Sequence, residues 1–109
     1  MGISAHANII QPSYAENFDR EVACTEREWL AGLPQAIGAH PFQQIARALS
    51  AQIGKEGQLM LSWRIAESRT LGPGRTPRLL VSFRFQGLND TQRYLFMRRF
   101  DLQMQRGGG

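Results

Sequence analysis

Two segments of the chain nearly repeat each other: Leu59-Met60-Leu61-Ser62-Trp63-Arg64-Ile65 and Leu79-Leu80-Val81-Ser82-Phe83-Arg84-Phe85. Each alternates strictly. Leu59, Leu61, Trp63 and Ile65 fall on one side, as do Leu79, Val81, Phe83 and Phe85. Period-two alternation with branched and aromatic residues marks a half-buried strand. The pair reads as two antiparallel strands whose apolar faces build the core. Ser62, Arg64, Ser82 and Arg84 are left on the opposite face.

The rest of the chain must supply a sheet around this pair and something to cover it. Phe18, Arg20, Val22 and Cys24 alternate with Asp19, Glu21 and Ala23, which reads as a short edge strand. Its charges would blunt such an edge against stray pairing. Thr25-Glu26-Arg27-Glu28 has the form of a capping box, with Thr25 able to accept from the first turn and Glu28 able to reach back. Trp29, Leu30, Leu33 and Ile37 follow at helical spacing. Pro34 lacks an N–H and crowds the preceding turn, so the helix is expected to end near Leu33.

Residues 41–54 fit two readings. Phe42, Ile45, Ala46, Leu49 and Ile53 have helical spacing, with Pro41 as a first residue and Gly54 as a stop. Ile45, Leu49, Ala51 and Ile53 also fit a strand that turns at Gly54 and returns as the Leu59 segment. A sheet of two long strands and a short edge is marginal, which favours the strand over 45–53. That reading requires an odd loop, since an even one would put Leu49 and Ile53 on the Ser62 face.

Asn89 and Gln92 form a second reciprocal cap. In the helix after it, Phe96, Met97, Phe100 and Met104 make one broad apolar stripe. Leu95 and Leu102 make a narrower stripe on nearly the opposite side, flanked by Arg98 and Arg99. The expected fold is α+β: an antiparallel sheet of three to four strands with two helices on one face, in the order β-α-β-β-β-α. Residues 1–17 read as a flexible arm, 18–106 as a single domain and 107–109 as a glycine tail.

Composition narrows the function classes. Cys24 is the only cysteine, so no internal disulfide and no cysteine-pair redox or zinc motif is possible. His6 and His40 each stand alone. No residues are spaced as a catalytic or metal-ligating set, and no cofactor is expected. Gly72-Pro73-Gly74-Arg75-Thr76 lacks the lysine and spacing of a phosphate loop. No apolar run is long enough to span a membrane, and the N-terminus lacks the form of a secretory signal, so a cytoplasmic protein is expected.

Residues 1–56 hold four basic residues against six acids, and residues 57–109 hold nine arginines against three acids. Two binding surfaces follow. The first is the outer stripe of the last helix, Leu95, Arg98, Arg99 and Leu102, for a protein partner or a second copy. The alternative is an anion-binding face for nucleic acid or another polyanion, made of Arg64 and Arg84 with Arg69, Arg75 and Arg78 at its end. It supposes Ser62 paired near Arg84 and Arg64 near Ser82. The leading expectation is a non-enzymatic interaction module.

From about residue 25 to 104 the α-β-β-β-α arrangement resembles the double-stranded-RNA-binding domain. That family carries a lysine cluster opening its last helix, where this chain has Asn89-Asp90-Thr91-Gln92-Arg93. The chain also resembles small uncharacterised bacterial proteins that open like residues 18–30, from Phe18-Asp19-Arg20-Glu21 to Trp29-Leu30. They close like residues 96–109, from Phe96-Met97-Arg98-Arg99-Phe100 to the final glycines. That likeness implies no activity, ligand or partner.

Overall fold

The structure is a computed structural model that describes residues 13–66 and 77–108, the last three of these by backbone alone. The chain is α+β. Its elements are β1 (Asn17–Val22), α1 (Glu26–Ile37), β2 (Phe42–Ile45), β3 (Ala48–Ile53), β4 (Gly57–Ile65), β5 (Leu79–Gln86) and α2 (Asp90–Gly108). The strands form one antiparallel sheet in the order β1-β5-β4-β3-β2.

β4 and β5 are its centre. Leu61 lies opposite Phe83 and Trp63 opposite Val81, with all four buried on the helical side. Leu49 and Ala51 of β3 extend this layer on one flank and Phe18 of β1 on the other, where its ring stacks on Phe83 at 4.7 Å. The β3–β4 loop is Gly54 to Glu56, an odd number of residues, which keeps Leu49, Ala51 and Ile53 on the core face.

Both capping boxes form. Glu28 N donates to Thr25 Oγ1 at 3.1 Å and Thr25 N to Glu28 Oε1 at 2.9 Å; Asn89 and Gln92 repeat the exchange at 2.9 and 2.8 Å. α1 buries Trp29, Leu33, Ala36 and Ile37, and α2 buries Phe96, Met97 and Phe100. Gly32 lies against Met104 and Gly38 against Arg99, so the helices run antiparallel. An aromatic chain joins the layers: the Phe100 ring meets Trp29, Phe83 and Phe96 at 6.1, 5.5 and 5.9 Å.

Several expectations need correction. α1 continues through Pro34 to Ile37. Pro34 and Leu30 are both exposed, so the Leu30 carbonyl that Pro34 cannot serve faces water. The 45–53 segment is two strands, broken at Ala46-Arg47, and the sheet has five strands among the described residues, not three to four. Ala46 takes a positive φ of 53°, a tight-turn conformation that alanine does not advertise. The break puts Ile45 on the outer face at 67% exposure. Ile65 is also 54% exposed despite its core parity, although Leu79 opposite it is buried.

Tyr14 and Glu16, assigned to the arm, are tied to the domain: Tyr14 is buried, and the Glu16 carbonyl accepts from Phe85 N at 2.7 Å. Residues 1–12 lie outside the described residues. Among the described residues no helix is long and apolar enough to cross a membrane.

Candidate functional site

The outer side of α2 carries the first predicted surface. Leu95 and Leu102 are 57% and 49% exposed, and Arg98 between them is exposed too. A 3.6-residue repeat sets these three opposite Met97, Phe100 and Met104. Arg99 turns away from them. Its Nη1 donates to the carbonyls of Gln35 and Ala36 at 3.2 and 3.4 Å, serving the C-terminal end of α1. Orphan carbonyls and a negative dipole end make that a favourable seat for a guanidinium. Gly38 leaves it room, since a Cβ there would lie 2.5 Å from Arg99 Nη1.

The predicted anion face is only partly assembled. Arg64 and Arg84 do stand on the outer sheet surface, but the register differs from the one supposed. Ser62 pairs with Ser82, Arg64 with Leu80, and Arg84 with Met60. Four strand positions therefore separate the two arginines, about 13 Å at 3.3–3.4 Å per residue. Arg84 is engaged by Asp19 at 3.2 Å and by the carbonyls of Phe83 and Phe18 at 2.9 and 3.4 Å. Ser82 first, and then Arg84, hold the Asp19 carboxyl below its ordinary range. Arg78 pairs with Glu21 at 2.5 Å. Arg69 and Arg75 lie outside the described residues. A shallow hollow of about 240 Å³ beside Arg64 is lined by Asp19, Ser62, Leu80 and Ser82 as well.

The uneven charge along the sequence is thus offset in part by the fold. β1 carries Asp19 and Glu21 from the first half; it lies beside β5, where Arg84, and Arg78 just before the strand, come from the second. Arg20 crosses the other way, pairing with Asp101 of α2 at 2.7 Å while its guanidinium covers the Phe83 ring at 5.2 Å. Arg93, in the stretch compared with the RNA-binding lysine cluster, is buried. It donates to the carbonyls of Tyr14 and Leu88 at 2.8 and 2.7 Å and pairs with Asp90.

One polar node had no signal in the sequence. Glu26 Oε2 accepts from Trp63 Nε1 at 2.8 Å and from Arg47 Nε at 2.7 Å, while Oε1 accepts from Arg47 Nη2 at 2.9 Å. The node ties the first turn of α1 to the β2–β3 turn and to β4. Arg47 first, then the indole N–H, hold the Glu26 carboxyl down at about 2, against an ordinary 4.5. A folded-state value below the unfolded one stabilises the fold fully above about pH 4.5, and the gain is lost as pH falls toward 2. Thermal melts between pH 5 and 2 should therefore show a steeper loss for the native chain than for Glu26→Gln. Equal slopes would deny the coupling.

Cys24 is half-buried, and burial raises its thiol above the ordinary value. The His40 ring lies 5.7 Å from that of Phe96. Among the described residues no group of three or more His, Cys, Asp or Glu is placed to hold a metal ion. Compared with known proteins, the chain matches no family model, no curated protein and no solved structure.

Proposed function

We propose that the protein is a non-enzymatic interaction module that binds a protein partner through the outer face of α2. One observation carries this reading: Leu95 and Leu102, one heptad apart, are 57% and 49% exposed on a helix whose inner face is already filled. Two large apolar side chains seven residues apart form a ridge that fits an apolar groove. Arg98 beside them favours a groove with an acidic rim, in keeping with the arginine enrichment of interfaces. A cytoplasmic setting belongs to the same proposal.

The alternative, a nucleic acid or other polyanion held by Arg64, Arg84, Arg69, Arg75 and Arg78, draws less support. Asp19 and Glu21 already occupy Arg84 and Arg78.

The test separates a docking ridge from a structural one. A Leu95→Glu, Leu102→Glu double variant should keep its stability within about 0.5 kcal/mol per site, as exposed substitutions do. A photoreactive side chain placed at Leu102 in cells should give one discrete adduct, lost when Leu95→Glu is added. The same side chain at Ser62 should not give it. Identical adducts from both positions, or unfolding of the double variant, would defeat the reading.

A further inference from the structure

The two edges of the sheet are built differently. β1 carries Asp19, Arg20 and Glu21, with Arg20 directed to the helical side, where it reaches Asp101. Charged residues on an edge, and inward-pointing charge above all, deter added strands. β2 is Phe42-Gln43-Gln44-Ile45, without charge, proline or bulge. All four residues are exposed, Phe42 at 41% and Ile45 at 67%. β2 is the last strand of the sheet, and its one sheet partner among the described residues is β3.

The hydrogen-bond phase of that pairing is known. Gln52 N donates to the Pro41 carbonyl at 2.9 Å, opposite it in register. Bonded and non-bonded pairs alternate in an antiparallel ladder, so Gln43 and Ile45 are turned toward β3. Phe42 and Gln44 therefore direct their N–H and C=O groups to the free edge.

We infer that β2 is a self-association edge, on which β2 of a second copy pairs antiparallel about a twofold axis normal to the sheet. Such an axis keeps both helical layers on one side and so needs a register centred on a residue. Centring on Gln43 places Phe42 opposite Gln44 of the second copy, and Gln44 opposite its Phe42. Both free residues are then used in pairs that exchange two hydrogen bonds each. Centring on Gln44 would instead draw in Ala46, whose φ of 53° takes it out of strand geometry. The chosen register also lays Ile45, the most exposed large apolar side chain among the described residues, beside Pro41 of the second copy. No charge opposes the contact: the strand has none, and Glu26 compensates Arg47 at the turn. This surface is separate from the α2 ridge, so either proposal can fail alone.

Cross-linking tests the register in a Cys24→Ser background. Across the dyad, the two copies of residue 43 would form a non-bonded pair with Cα atoms about 4.5 Å apart. Gln43→Cys should then dimerise through a disulfide under oxidised glutathione. The two copies of residue 44 would be offset by two strand positions, beyond the ~7 Å that a disulfide spans, so Gln44→Cys should react at least about tenfold more slowly. Sedimentation of the native chain from micromolar to millimolar should show a monomer–dimer equilibrium. Gln44→Pro removes an N–H from the free edge and none from the β2–β3 ladder, and should leave a folded monomer. A native chain that stays monomeric would overturn the inference. So would equal cross-linking at the two positions, or a dimer that survives Gln44→Pro and dissolves in Leu102→Glu.

Discussion

Replacing Phe100 with alanine is expected to cost about 3–5 kcal/mol, the range for removing a fully buried aromatic ring. Phe100 is 1% exposed, and its ring touches those of Trp29, Phe83 and Phe96, one from each helix and one from the sheet. These neighbours belong to three separate elements and cannot collapse together without shifting the helices, so the cavity persists. A domain of this size loses roughly 4–8 °C of Tm per kcal/mol, so a drop of about 12 °C or more should appear in a thermal melt. Phe100→Leu keeps much of the volume and should recover at least half of the loss. A fall of only a few degrees for the alanine variant would mean that α2 is not held by this ring.

Arg93→Leu is the second large effect. Its guanidinium is the donor to two buried carbonyls, Tyr14 O and Leu88 O. Each carbonyl left without a donor costs about 1–3 kcal/mol, and together we expect a loss of about 2–4 kcal/mol in urea denaturation. Arg93→Lys keeps the charge but not the fork, and should restore less than half. The damage should be local first: amide exchange should quicken from Tyr14 into β1 before it does in β4. Uniform acceleration across the sheet, or a loss below about 1 kcal/mol, would contradict this account.

Local rules explain what could be seen in advance. The alternation at 59–65 and 79–85 names the central strands because each residue's side follows from its neighbour's. Thr25 with Glu28, and Asn89 with Gln92, mark both helix starts because a cap lies within four residues. What escaped notice depended on distance or on an unusual backbone. Nothing near Ala46 announces a turn there, since glycine, asparagine and aspartate are the residues that normally adopt a positive φ. The parity of Ile65 is right for the core, but whether a residue at a strand end is covered is settled by packing, not by parity. Glu26, Arg47 and Trp63 meet across 21 and 37 positions of chain. The pairing of Asp19 and Glu21 with arginines of the second half is hidden for the same reason. Counting charges by halves suggested a basic face; the topology sets Asp19 and Glu21 against two of its five arginines, Arg84 and Arg78. The leucine ridge was legible because it needed only the helical repeat, whereas the departure of Arg99 from it required the end of α1 to be nearby.

The strand order has a temporal side. β1 is made early, yet its sheet neighbour is β5, more than fifty residues downstream. A nascent chain that has reached only β4 offers β1 no bonded place, because β5 would separate the two. The hairpins from β2 to β5 can form in order of synthesis, each on the one before. β1 leaves the ribosome before its sheet neighbour and must wait to be seated, and its charged side chains deter stray pairing meanwhile.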